Sequence, residues 1–499
     1  MHSRMLRAAG AVGAVGASLA LAGPALAASA PTLYVNPAGQ NTNTNGTDNT
    51  CRLQSNPCQT IQHAIDEAPA TAKISVAAGT YAEQLTITGK NLTITGAGTA
   101  STFIKPDAPL NTKLDDPTHQ NTPQADIVTF DGTKSGGLAQ LTVDGSTATV
   151  TDGSTNYVGV FMLDASGTLN TVDIDHVHHD EGSFGDQPGA NGGVLVANDD
   201  ENSHTVTMNT VEVSDYDKNG ITCRSLGTIC NITNSTVTGS GAISDNAQNG
   251  IELYGIAAAS VTGTTVTENT YENAPGTSPT NASGFLVINV GKLTLSKDTA
   301  ESNDVNIDAI DDMSQYARGP EEGVWSITNN TVSDATNFDG AAPLGAGIGD
   351  GIDLTGTSGV TVDSNKVTDN QDWGISLLGA SASKVGADGK ANTVTGNTDD
   401  GIYLGEYVTN DATVPSTNNT VTYNRSSSNG DDGILVAGAD SSNNQQATGN
   451  RFGHNILQNN LHFDAEDFSS GSGTAGTANT WTGNKCQPSH DANPASICS

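Results

Sequence analysis

Short runs of alternating apolar and polar residues recur along this chain in a fixed order. One half of each unit is a punctuating residue, Gly and an apolar strand: Asn249-Gly-Ile-Glu-Leu253, Asp350-Gly-Ile-Asp-Leu354, Trp373-Gly-Ile-Ser-Leu377, Asp400-Gly-Ile-Tyr-Leu404 and Asp432-Gly-Ile-Leu-Val436. The other half is a small polar turn, a Val-Thr pair and usually Asn, as in Thr265-Val-Thr-Glu-Asn269, Lys366-Val-Thr-Asp-Asn370, Thr393-Val-Thr-Gly-Asn397 and Thr420-Val-Thr-Tyr-Asn424. Period-2 alternation over so few residues, rich in β-branched side chains, predicts short strands with Ile and Leu inward and the residue between them outward. Asn370, Asn397 and Asn424 are 27 residues apart, and Asn450 follows after 26. Recurrence at this period means a solenoid. Asn repeated at one position of successive coils is expected to stack as an internal ladder that satisfies turn backbone groups.

These features predict an all-β protein, a right-handed parallel β-helix of about 12–13 coils over residues 70–486. Solenoid ends need covers. Thr60-Ile-Gln-His-Ala-Ile-Asp-Glu-Ala68 carries apolar residues at 61, 64, 65 and 68 and predicts a capping helix, within an N-terminal segment 28–69. At the far end Asn479-Thr-Trp-Thr-Gly-Asn484 repeats Asn392-Thr-Val-Thr-Gly-Asn397 with Trp481 in place of Val, a large ring suited to close the last coil before a tail, 487–499.

The stretch Pro57-Cys-Gln-Thr-Ile-Gln-His-Ala-Ile-Asp66, followed by Val76-Ala-Ala-Gly-Thr-Tyr-Ala-Glu83 and Leu92-Thr-Ile-Thr-Gly96, resembles the entry of pectate-lyase-like β-helix proteins of exported bacterial type. The Gly-Ile-x-Leu and Val-Thr-x-Asn units resemble the generic right-handed β-helix repeat. Together they span residues 33–486. The resemblance implies the fold and a ligand groove along the outward face of the strand that opens each coil. It does not imply one activity.

Residues 1–27 read as a secretory signal peptide: Arg4 and Arg7, an Ala/Gly/Val/Leu run from Ala8 to Ala22, and an A-x-A site ending at Ala27. The net charge of −35, with both leader Arg counted, disfavours nucleic acid and anionic membranes as partners. A polysaccharide or cell-surface glycan remains compatible, and no membrane insertion is expected. The six cysteines form three close pairs, Cys51/Cys58, Cys223/Cys230 and Cys486/Cys498, which in an exported chain suggest local disulfides.

Alternation places Thr222, Arg224, Glu252, Tyr254, Leu286, Ile288, Asn306, Asp308, Asp353, Thr355, Ser376, Tyr403 and Leu435 outward on the coil-opening strands. From this stripe Asp308, Asp353 and Glu252 are the candidate catalytic carboxylates, because glycoside hydrolysis needs a carboxyl pair ~5–10 Å apart. Arg224, Asn306, Tyr254 and Tyr403 are the candidate substrate contacts, with the two Tyr as sugar platforms. Asn306-Ile-Asp308 also resembles the opening of the polygalacturonase site, but no Gly-His-Gly or Arg-x-Lys accompanies it. An insertion over 311–323 is expected to wall the groove. His176, His178, His179, Asp180 and Glu181 form a second cluster with the chemistry to bind Zn²⁺ or move protons. Asp350, Asp400 and Asp432, like Asn219 and Asn249, precede Gly; they suggest either Ca²⁺ binding or simple turn capping. No cofactor is required. The expected function is binding or hydrolysis of extracellular polysaccharide, with a non-catalytic surface solenoid, or a lyase or epimerase, as the alternatives.

Overall fold

The computed structural model describes residues 29–498, apart from 108, 113, 119–121, 151–154, 180–191, 201, 245, 273–279, 312–323, 337–347, 409–411, 440–444 and 488–490. The expected leader, Asp180, Glu181 and nearly all of the 311–323 insertion lie outside the described residues.

The chain winds as a parallel β-helix. Its opening face is a 16-stranded sheet in which two short strands, Leu114–Asp116 and Thr413–Pro415, join as antiparallel hairpin partners; the others stack in parallel from Leu85–Thr88 to Ala492–Asn493. The second and third faces are connected as a 26-stranded sheet. Gly-Ile-x-Leu units form the opening face, as in Ile352–Thr355, Ile375–Leu378 and Ile402–Val408. Their Ile and Leu side chains are fully buried: Ile352, Leu354, Ile375, Leu377, Ile402 and Leu404 are each 0% exposed. Val layers from the other two faces complete one continuous core.

Each turn carries its own hydrogen-bonded ladder. Between the second and third faces, the rungs Asp298, Asn330, Asn365, Asn392, Asn424, Asn455 and Asn484 follow coil by coil. After the third face run Asn370, Asn397, Asn429 and Asn460. Before the second face run Ser383, Asn419, Asn450 and Asn479. The expected stack is therefore real, with Asn370, Asn397 and Asn424 all buried, but it is three stacks. Asn397 bonds Asn429, 32 residues on, whereas Asn424 and Asn450 belong to the two other turns. The 27-residue recurrence slips between faces because both the second and third strands carry Val-Thr. Positive φ falls at the turn between them, and not only at Gly and Asn: Thr171, Thr210, Lys297 and Ser364 adopt it too.

The ends follow the expectation closely. A helix, Ile61–Glu67, is capped by Thr60 and buries Ile61, Ala64 and Ile65. Glu83 accepts the N–H groups of Ile61 and Gln62 at 2.7 and 2.8 Å, satisfying two donors of the first turn. At the far end Trp481 stacks on Phe452 at 4.0 Å and donates its indole N–H to Asp467 Oδ2. Disulfides join Cys51–Cys58, Cys223–Cys230 and Cys486–Cys498.

Candidate active site on the opening face

Parallel register places Thr222, Glu252, Leu286, Asp308, Asp353, Ser376, Tyr403 and Leu435 side by side on successive strands. Alternation forces these positions outward because their Ile, Leu and Val neighbours fill the core. Asp308 and Asp353 are direct partners on adjacent strands. Glu252 lies two coils away, separated by Leu286.

The two aspartates are nearly covered, at 5% and 8% exposed, and they differ in their hydrogen bonding. Asp353 has two hydroxyls at 2.7 Å, Thr355 Oγ1 and Ser376 Oγ, and the single Ser376 proton is shared with Asp350 Oδ2, also at 2.7 Å. Asp308 accepts two long bonds, from Ser283 Oγ and Asn281 Nδ2, both at 3.3 Å. Burial raises both carboxyls above the usual range. The Asp353 charge raises Asp308 further, while Ser376, Thr355 and the Leu354 backbone favour the anion at Asp353. The proton is therefore better held on Asp308 and the negative charge on Asp353.

Glu252 is half-buried. It accepts Asn219 Nδ2 at 2.6 Å and Thr222 Oγ1 at 3.4 Å. Burial raises its carboxyl against the pull of Arg224 and Lys218, so it faces two cations rather than another acid. Lys218 donates to the Ala247 carbonyl, and burial lowers its proton affinity.

Three of the expected substrate contacts need correction. Arg224 is buried and lies against the carboxylate of Asp116 in the Leu114–Asp116 strand, so that strand covers it. Tyr403 lies face to face on Trp373, with ring centroids 4.0 Å apart, so one side of the expected platform is covered. Asn306 does not face the groove. It is 0% exposed and joins Asn303 to Asn370, with its own Nδ2 on Asn370 Oδ1 at 3.1 Å. The reason is steric. In neighbouring coils this position is Gly284 or Gly351, where a Cβ would lie 2.7–2.8 Å from the amide nitrogen of the ladder residue, Asn303 or Asn370. In the intervening coil the ladder position is Ala335, whose N–H donates to Asn370 Oδ1. Asn306 fills the missing rung. Tyr254 stays half-buried beside Arg224.

Sequence reasoning missed Lys218, Asp116, Asn281, Ser283 and Tyr407. The residue before the Asx-Gly pair changes from Lys218 through Gln248 and Gly349 to Asp399 and Asp431 along the rod, which is a charge signal readable in the sequence. Tyr407 follows from strand length, since Ile402–Val408 runs past its neighbours. It packs against Gly379, where an added Cβ would come within 2.8 Å of Tyr407 Cβ.

The other clusters resolve differently. Asp350, Asp400 and Asp432 accept the backbone N–H groups of Trp373, Asp432 and Phe463 respectively, which is the turn-capping role. His179 is 1% exposed and bound to Asp217 through its own N–H and its Nδ1, which makes it a structural contact. His178 is raised to about 9, chiefly by its hydrogen bond to Asp215. Asp175, His176 and Asp215 lie close enough together to share a cation.

The coil geometry, the ladders and the three faces together define a class, and a family model described as right handed beta helix region matches residues 192–389 and 349–484. The chain belongs to that family. Among solved structures it is similar to a variant of a periplasmic alginate epimerase, at 12% identity and TM-score 0.46 over 79% of this chain and 83% of that one. It is also similar to the A-module of an Azotobacter vinelandii mannuronan C-5 epimerase, at 13% identity and TM-score 0.41, covering 84% and 94% of the two chains. A lacto-N-biosidase from Eubacterium ramulus matches at 11% identity and TM-score 0.38, covering 91% of this chain and 67% of that one. These are likenesses of fold. No curated protein matches the sequence.

Proposed function

We propose that this protein is exported and hydrolyses an extracellular polysaccharide, with Asp308 and Asp353 as the carboxylate pair. The observation that carries the proposal is their direct opposition on adjacent strands of the opening face. Parallel strands lie ~4.8 Å apart, close to the ~5–5.5 Å between the carboxyls of retaining glycosidases. Asp353, with the Thr355 hydroxyl and a share of the Ser376 hydroxyl as donors, is the nucleophile. Asp308, raised by burial and by that anion, is the acid that protonates the leaving oxygen and later deprotonates water. The three disulfides fit an oxidising compartment. No helix among the described residues is long and apolar enough to cross a membrane.

The near-complete cover over both aspartates favours a second reading, a glycan-binding or adhesive solenoid without turnover. A panel of neutral and acidic glycans, assayed for new reducing ends, separates the two. Hydrolysis abolished by Asp308→Asn and by Asp353→Asn supports the enzyme; binding without any new reducing ends supports the solenoid.

A further inference from the structure

Near the C-terminal end, the turn that enters the opening face brings three ligating side chains, Asp431, Asp432 and His462, within 4.8 Å of one another, with Glu466 next to His462. His462 Nδ1 lies 3.3 Å from Asp431 Oδ1, 3.3 Å from Asp432 Oδ1 and 3.9 Å from Glu466 Oε2. Parallel stacking holds them there. The His462 N–H donates to the Asp431 carbonyl, and the Phe463 N–H donates to Asp432 Oδ1 at 2.7 Å, so the Asp431-Asp432 pair of one coil sits directly against His462-Phe463 of the next. Glu466 follows four residues after His462 in the same coil, and its other oxygen, Oε1, is taken by Asn493 Nδ2 at 2.7 Å. That leaves Oε2 turned toward His462.

We infer that Asp431, Asp432 and His462 form a binding site for a divalent cation of the zinc class, clamping the last coils together, with Glu466 beside it. Three observations carry this. The first is spacing. Zn²⁺ binds N and O ligands at ~2.0–2.2 Å, so tetrahedral ligand atoms lie about 3.3–3.5 Å from one another. The 3.3 Å separations match that edge, and they are longer than the ~2.7–2.9 Å of a charge-assisted hydrogen bond. The second is an unmet buried atom: Asp432 is 0% exposed, and its Oδ2 has no hydrogen-bond partner while Oδ1 is occupied by the Phe463 N–H. A buried carboxylate oxygen facing other carboxylates calls for a cation or a proton. The third is donor chemistry. One imidazole among carboxylates suits Zn²⁺ better than Ca²⁺, which takes oxygen ligands only. The half-exposed Asp431 and His462 leave a route for entry, while Asp432 and Glu466 form the buried floor.

The site is independent of Asp308 and Asp353, so neither proposal depends on the other. The test is calorimetric titration of chelator-treated mature protein with ZnCl₂ and with CaCl₂, alongside thermal melts with and without each metal. Wild type should bind one Zn²⁺ tightly at this site and melt higher with it. His462→Gln and Asp431→Asn replace half-exposed residues, so they should fold and melt like the chelated wild type while losing that binding and that shift. His176→Gln, in the separate histidine cluster, should keep both. The inference is overturned if Zn²⁺ binds no tighter than Ca²⁺, if no zinc binding is detected, or if the binding survives His462→Gln.

Discussion

Asp298 occupies a rung that asparagine fills in the coils that follow, and this makes a sharp prediction about pH. Its Oδ1 accepts the Thr264 N–H at 2.8 Å, and its own N–H donates to Asn330 Oδ1 at 2.9 Å. The amides above it also donate into the preceding coil: Asn330 Nδ2 to the Leu295 carbonyl at 3.2 Å, and Asn365 Nδ2 to the Ile327 carbonyl at 2.8 Å. An ionised Asp cannot make that bond, and Asp298 Oδ2 is buried without a partner. Burial pushes its carboxyl from 3.8 up to about 7, against the pull of nearby backbone N–H groups. The folded value lies above the unfolded one, so the native state binds more protons between pH 4 and 7, and stability falls as pH rises through that window. A rise of about three units corresponds to about 4 kcal/mol at pH 8, and nothing at pH 3. Asp298→Asn carries no proton and restores the missing donor. It should match wild type near pH 4 and exceed it by ~2–4 kcal/mol at pH 8. Denaturant midpoints for both proteins across pH 4–8.5 measure this, and the difference between them removes the titration of every other acid. A difference that does not grow with pH refutes the argument.

Asn306→Gly should destabilise by ~1–3 kcal/mol, since Asn303 and Asn370 lose a buried partner, and adding Ala335→Asn should recover most of the loss. A double-mutant cycle in denaturant melts gives the coupling, and strict additivity refutes the exchange of rungs. Arg224→Met leaves Asp116 buried and unpaired and should cost ~3–5 kcal/mol, whereas Arg224→Met with Asp116→Leu should lie much nearer wild type. On a hydrolysed glycan, Asp353→Asn should stop turnover at every pH. Asp308→Asn should be rescued by substrates with an activated leaving group, because they need no acid, and both variants should melt at or above wild type at neutral pH, since each removes a buried carboxyl raised above its free value. The alkaline limb of wild-type activity should lie well above the pH at which a free carboxyl ionises, as burial and the Asp353 charge raise Asp308.

The parts of the molecule legible in the sequence are those set by one residue against its immediate neighbours. Ile352 and Leu354 flank Asp353, so core demand alone turns the acid outward, and the row from Thr222 through Asp308 to Leu435 follows in correct order once the coils are aligned on Gly-Ile. Trp481 and the capping helix were readable for the same reason, since each replaces or precedes a repeat unit at a recognisable place. What the repeat obscured is phase. Val-Thr-x-Asn fits two faces equally well, so equal spacing joined Asn397 to Asn424, although the backbone sends Asn397 to Asn429. Asn306 shows the limit most clearly. Its alternation with Asp308 predicts an outward side chain, yet inward space at that corner depends on the residue 29 positions later, Ala335, which supplies no amide. The signal was present as two departures from the repeat, Asn where neighbouring coils have Gly and Ala where they have Asn. Each looks like drift alone, and only as a pair do they specify one satisfied rung. Arg224 is hidden in a similar way, because its partner Asp116 sits on a strand that pairs antiparallel to the sheet and belongs to no repeat unit. In a solenoid, then, repeat positions announce themselves by pattern, whereas the side chains that compensate for a broken pattern become visible only when coils are stacked.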